Sequence, residues 1–153
     1  MAFEIRTVPA SEPPASELIE SMVAEGVQVY GSRLDSPGAP SATADQMSPP
    51  GGTYLVIFED GAPVAGGGIK RLPDGVGEIK RMYVVPEARS RGLARMLLGA
   101  LEDAARALGY DRVRLDTGPR QPHARALYES TGYREVAPYN DNPCAAYWGE
   151  KAL

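Results

Sequence analysis

The 153-residue sequence predicts an α/β fold: a mixed, largely antiparallel central sheet flanked by helices, in a single domain spanning 1–153. Three observations lead there. Short β-branched and aromatic runs alternate with stretches of helical period. Two of those runs are joined by Asp60-Gly61, a hairpin turn that requires antiparallel neighbours. Hydrophobic residues make up 43% and charged residues 24%, a globular composition with enough apolar material for one core.

The elements follow in order. Phe3 to Val8 alternates and predicts a first strand. Ser16 to Tyr30 has a helical stripe of Leu18, Ile19, Met22, Val23 and Val27, with Ser16 a candidate N-cap and Gly31 a stop. Residues 32–52 contain four prolines and three glycines and predict a long loop, either a functional lid or a surface insertion. Thr53 to Glu59 and Ala62 to Leu72 form the hairpin, and Gly66-Gly67-Gly68 in its second strand suggests a bulge or close packing. Val76 to Val85 is a strand, after which the period changes from two to that of a helix ending at Leu108, with Gly109 beyond it. Asp111 to Asp116 predicts a strand parallel to the Val76 strand, because a crossover helix separates them. A short helix over His123 to Ser130, a strand from Tyr133 to Val136, and a last strand from Cys144 to Ala152 complete the chain.

The strand–turn–helix around Arg89-Ser90-Arg91-Gly92-Leu93-Ala94 is the chemically informative stretch. The first N–H groups of a helix lack intrahelical partners and carry positive partial charge, so an anion such as a pyrophosphate fits there. Gly92 lets an anion approach the backbone, and Arg89, Arg91 and Arg95 add charge. From Glu78 to Arg95 five basic residues face two acidic ones, a balance of +3 in a chain of net charge −4. A basic patch in an acidic chain points to one locally held anionic ligand and away from nucleic acid as the main partner. A solvated helix start with ordinary arginines is the plainer reading of the same residues.

Other classes are limited by composition. The single cysteine, Cys144, cannot form an internal disulfide, and no cysteine–histidine cluster offers a zinc site, so no metal is expected. The first thirty residues show no apolar signal core and no run approaches the length of a membrane span, so no membrane association and a cytoplasmic location are expected. No Gly-Lys-Ser/Thr phosphate loop is present, which weakens a nucleotide-binding reading.

The strand ending Met-Tyr-Val-Val-Pro86, the Arg-x-x-Gly-x-Ala turn and the helix after it together resemble the acetyl-coenzyme A motif of the GNAT superfamily of N-acetyltransferases. Further on, His123 to Tyr133 reads His-Ala-Arg-Ala-Leu-Tyr-Glu-Ser-Thr-Gly-Tyr and resembles the family's second landmark, N-x-x-A-x-x-L-Y-E-x-x-G-F. The resemblance is strong over 76–133 and weak before Gly52. Tyr133 replaces the usual Phe, and His123 is taken to stand where Asn is usual. The resemblance implies a GNAT-type fold and acetyl-CoA as co-substrate. It implies cofactor contacts from Met82, Tyr83 and Val84 through backbone N–H and C=O groups, from Arg89, Ser90, Arg91, Gly92, Leu93, Ala94 and Arg95, and from His123.

Acetyl transfer from a thioester to an amine needs a neutral, positioned amine, a stabilised oxyanion and a protonated leaving thiolate. Tyr128 matches the family tyrosine of Leu-Tyr-Glu and is the expected general acid. Glu78, on the strand before the turn, is the candidate general base, directly or through water. Tyr139, Tyr83, the C-terminal carboxylates and bulk water are alternatives. By alternation Glu78, Lys80 and Met82 share a face unless a bulge intervenes. Cys144 is expected to be a small, half-buried residue of the last strand and not a nucleophile. The reaction expected is direct attack by a primary amine in a ternary complex. The competing reading is a non-catalytic acyl-CoA-binding or regulatory module. A small-molecule amine is favoured over a protein N-terminus as acceptor, and a homodimer is an open possibility.

Overall fold

The computed structural model describes residues 2–31, 42–118 and 122–153. Seven strands form one sheet: β1 (Phe3–Thr7), β2 (Thr53–Glu59), β3 (Ala62–Arg71), β4 (Gly77–Val84), β5 (Arg112–Thr117), β6 (Arg134–Glu135) and β7 (Tyr147–Ala152). Among the described residues three α-helices accompany it: α1 (Ala15–Tyr30), α2 (Leu93–Ala107) and α3 (Pro122–Ser130). The strand order is β1-β2-β3-β4-β5-β7-β6, and only β4 and β5 run parallel. Asp60 and Gly61 both have positive φ, 49° and 85°, as a two-residue hairpin with matching twist requires.

Helices cover both faces. Leu93, Leu97, Leu98, Leu101 and Ala105 of α2 pack on Leu55, Ile57, Ile69 and Ile79, and Tyr128 of α3 joins that cluster. On the opposite face Ala15 and Leu18 of α1 pack with Tyr54, Val56 and Phe58. Because β2 is covered on both sides, Thr53 to Phe58 are all buried, which is why that strand reads as a continuous apolar run.

Three boundaries differ from the sequence expectation. Ser16 lies inside the first turn of α1, whose N-cap is Pro14 and has no side-chain cap. The last strand starts at Tyr147, and Cys144 belongs to the loop before it. Of the long loop, 32–41 lies outside the described residues, while 42–52 packs down firmly. Met47 is buried against the α1-side cluster, and the Tyr110 hydroxyl donates to Gly51 O at 2.5 Å.

Two features of β4 open the sheet. Its parallel pairing with β5 stops after Gly77↔Val113 and Glu78↔Arg114. Beyond that point β5 pairs only with β7, and a gap separates it from the end of β4. On the other side Gly66 pairs with Tyr83 but Gly68 with Lys80, so Arg81 and Met82 together oppose Gly67. This is a β-bulge, and Arg81 adopts φ 59° in it. The extra residue resets the alternation. Met82 packs into the α2-side core with Ile79, whereas Tyr83 packs on the α1 side. Met82 therefore does not share a face with Glu78 and Lys80, contrary to simple alternation.

Candidate active site

A cavity of about 740 Å³ runs from the N-terminus of α2, through the gap between β4 and β5, to the inner side of α1. That volume suits a cofactor-sized ligand. Its walls come from Lys80 to Val84 of β4, the turn and start of α2, Asp116 to Gly118 at the end of β5, α3 and the inner side of α1.

At the turn, Ser90 and Gly92 have φ of 64° and 83°, and Gly92 is the N-cap of α2. A Cβ at Gly92 would meet nothing within 4 Å, so glycine serves the left-handed conformation there, and the open side faces the cavity. Arg89, Ser90, Gly92, Leu93, Ala94 and Arg95 all line the cavity. Arg91 does not: its guanidinium turns outward and pairs with Glu59. Arg89 is also engaged, with both terminal nitrogens on Glu25 of α1 at 2.8 and 2.7 Å and Nε donating to Val84 O at 2.9 Å. Arg95 reaches only the Ser130 hydroxyl, at 3.1 Å, so among the described residues it is the turn's arginine with no carboxylate partner. The local surplus of charge is thus smaller in the fold than in the sequence, and it is concentrated at Arg95.

Met82, Tyr83, Val84 and His123 also line the cavity, His123 from the exposed start of α3. Tyr128 lies deeper. Its ring is buried between Tyr133 and Tyr147, at centroid distances of 5.8 and 6.5 Å. Among the described residues its hydroxyl makes only a long 4.0 Å contact with Met82 Sδ, which leaves it available to an incoming group. Burial first, then the Asp116 carboxylate and Tyr147, push the Tyr128 phenol well above its ordinary range, so it keeps its proton at neutral pH.

Glu78 is 1% exposed and does not line the cavity. Its Oε2 accepts from Tyr139 Oη at 2.7 Å and lies 3.5 Å from Lys80 Nζ. Two carboxylates line the cavity: Glu25, which is held by Arg89, and Asp116, which accepts from Asn140 Nδ2 at 2.8 Å and pairs with Lys80 at 3.4 Å. Direct contact of Glu78 with an acceptor amine is therefore not what the geometry offers. Glu78 reaches the cavity only through Lys80, Asn140 and Asp116.

Sequence reasoning missed Asp116, Asn142 and the α1 residues Met22, Glu25, Gly26 and Val29, all on the cavity wall, and placed Cys144 in a strand when it too lines this wall. Asp116 had a usable signal, because ligands gather beyond the carboxyl ends of parallel strands. Among the described residues no group of three His, Cys, Asp or Glu side chains could hold a metal ion, and no helix is long and apolar enough to cross a membrane.

Comparisons with known proteins agree with this architecture. The family model for the Acetyltransferase (GNAT) family matches residues 18–133. The IAA acetyltransferase of Azospirillum brasilense is 30% identical over 148 residues, covering 94% of this chain and 96% of that one. A Klebsiella pneumoniae protein described as an acyl-CoA N-acyltransferase is 31% identical, with a TM-score of 0.76 over 99% of this chain and 97% of its own. The PaiA N-acetyltransferase of Thermoplasma acidophilum, solved in complex with coenzyme A, shares the fold at 17% identity, with a TM-score of 0.73 over 100% of both chains. A split sheet with a glycine-capped helix at its mouth, matched along most of the chain by this family and its relatives, places the protein in the GNAT acetyltransferase family.

Proposed function

We propose that this protein transfers the acetyl group of acetyl-CoA to a primary amine by direct attack in a ternary complex. The observation that carries the reading is the continuous cavity from the Gly92 helix start to the Tyr128 hydroxyl. One end suits a pyrophosphate, through the free N–H groups of the first turn of α2 and the Arg95 guanidinium. The gap between β4 and β5 leaves the β5 side of β4 beyond Glu78 without a neighbouring strand, suited to the amides of a pantetheine arm. The coenzyme A complex of the Thermoplasma relative is in keeping with this assignment.

In the reaction the amine nitrogen bonds to the thioester carbonyl carbon, and the C–S bond then breaks. The departing thiolate takes the Tyr128 proton. The proton shed by the amine leaves through the Asp116 carboxylate or water, with Glu78 behind it as a positioning residue through Asn140 and Lys80. No covalent enzyme intermediate is needed, so Cys144 contributes wall and not nucleophile.

Calorimetric titration with acetyl-CoA, paired with thiol release across a panel of amines, tests the reading. The parent should bind acetyl-CoA and release thiol only with an amine present. Gly92→Glu should show no binding where the parent saturates, because it adds bulk and a like charge at the pyrophosphate end. Undiminished affinity in a folded Gly92→Glu protein would refute the site. Binding without turnover on any amine would favour an acyl-CoA-binding module.

A further inference from the structure

We propose that two copies of this chain pair through the outer edge of β1, joining their sheets into one across a two-fold axis. The strand ends the sheet, with β2 on one side only, and all of its residues are exposed. At the other end β6 has two residues, too short to template a partner.

The register of β1 on β2 decides which groups face outward. Opposite residues of an antiparallel ladder alternate between pairs that exchange both main-chain bonds and pairs that exchange none. Asp60 N donates to Ala2 O at one end of the ladder, and Val8 N donates to Tyr54 O at the other. Glu4, opposite Phe58, and Arg6, opposite Val56, are in phase with those two. Phe3, Ile5 and Thr7 therefore direct their N–H and C=O groups away from β2, and among the described residues nothing bonds them.

This edge is self-complementary in one register. With Ile5 opposite Ile5 of the second copy, Phe3 stands opposite the second copy's Thr7, and each opposed pair exchanges two main-chain bonds. The side chains agree with that register. Arg6 lies over the Phe58 ring at 3.9 Å, so it and Glu4 belong to the α1 side. There Glu4 falls opposite Arg6 of the second copy, and Arg6 opposite its Glu4. Both side chains are more than half exposed, 64% and 53%, so a second copy can reach them. Charges on an edge strand ordinarily deter pairing, but opposite signs directly across two strands favour it. On the α2 side, where Ile5 neighbours Ile57, Ile5 meets its own copy. Phe3 and Ile5 are two of the four large apolar residues exposed among the described residues, and pairing covers part of both.

The axis is normal to the sheet, so the helix layers of the two copies continue on the same faces. β4 and β5 lie three and four strands in from this edge, and both cavities stay open. The contact is small, which places the dissociation constant at about 1–100 μM.

Sedimentation velocity from about 1 μM to 1 mM tests the pairing. The parent should pass from monomer to dimer across that range. Glu4→Arg and Arg6→Glu each set like charges opposite one another twice, and each should weaken the dimer by about 10-fold or more. Mixed in equal amounts, the two variants should pair with each other, because the arginines of one then face the glutamates of the other. The double variant Glu4→Arg/Arg6→Glu should regain the parent's affinity. Circular dichroism and melting temperature establish that each variant is folded. The parent alone gives an independent reading by residue-resolved hydrogen exchange. The Glu4 and Arg6 amides should be protected at every concentration, and those of Phe3, Ile5 and Thr7 only as the dimer forms. A parent that stays monomeric overturns the proposal, whether the edge is left bare or is taken by a different chain. So does a dimer that the single charge changes leave intact, a mixture of the two variants that stays monomeric, or Phe3, Ile5 and Thr7 amides that exchange equally fast at both ends of the range.

Discussion

Tyr128 carries the account at the scale of single residues. Its phenol is buried, proton-bearing and nearly free of partners at the gap in the sheet. Tyr128→Phe keeps the packing against Tyr133 and Tyr147, so folding and acetyl-CoA affinity should change little. The rate of the chemical step should fall by about 10²–10⁴-fold, the usual worth of general acid catalysis. The loss should shrink with a thioester donor whose thiol has a lower pKa, since that thiolate needs the proton less. The upward shift of the phenol also fixes a sign: an acid with a raised pKa keeps its proton further into the alkaline range. The rate should show no decline from Tyr128 ionisation up to about pH 10. Gly92, Arg95 and Tyr128 line the cavity, and each belongs to a short sequence pattern with a mechanism that points to it. Glu78 and Arg91 were legible only by type. Which way each side chain turns depends on partners distant in sequence, Tyr139 and Glu59. Counted back from Ala124 and Leu127-Tyr128-Glu129, the Asn position of the family motif falls at Gln121, outside the described residues. The contact of His123 with the cavity thus stands on the fold and not on the motif.

At the scale of elements, periodicity and turn chemistry were reliable guides. β2 has the bounds that its composition predicts, and Gly31, with φ 75° and its N–H on Val27 O, stops α1 as expected. The bulge was only hinted at by Gly66-Gly67-Gly68. The glycines lie on β3 while the inserted residue lies on β4, so the signal and its consequence are on different strands. Nothing local in the sequence of 42–52 shows its order, because what orders it is long-range, Met47 under the α1-side cluster and Gly51 under Tyr110. Two glycines make opposite predictions. A Cβ at Gly52 would run into the carbonyl oxygens of Gln46 and Ile69, backbone atoms that cannot give way cheaply. Gly52→Ala should therefore destabilise the fold by about 1–3 kcal/mol. Gly99 lies inside α2 with nothing within 4 Å of its Cβ position, and Gly99→Ala should stabilise by about 0.5–1 kcal/mol. Urea denaturation of both variants checks the pair, and a Gly52→Ala protein as stable as the parent would contradict the packing described for that loop.

At the scale of the whole molecule, β5 and β7 are tied across the sheet by charge. Glu150 accepts from Arg114 Nε at 2.9 Å, and this bond, followed by that from Arg134, holds its carboxyl below the ordinary carboxylate range. A carboxyl whose folded-state pKa is depressed stabilises the fold above its unfolded pKa, near pH 4–5, and loses that contribution as the pH falls through the folded value. Glu150→Gln should thus be less stable than the parent at pH 7, by about 1–3 kcal/mol, and the difference should shrink toward zero on acidification below about pH 3. A difference independent of pH would mean that packing, not charge, is what the substitution removed. The cavity was the least legible feature of the sequence, because it exists only where α1, β4, β5, the α2 turn and α3 meet; Asp116 and the α1 wall have no shared local pattern. The central claim is direct transfer within that cavity, and a single-turnover rapid-quench experiment tests it most directly. Protein pre-loaded with acetyl-CoA is mixed with an acetyl-accepting amine, and free thiol, N-acetyl product and acetylated protein are followed in the same samples. The account predicts that thiol and product rise together, one to one, with no acetylated protein at any time. Thiol released ahead of product, with the acetyl group found on Cys144 or any other side chain, would contradict it.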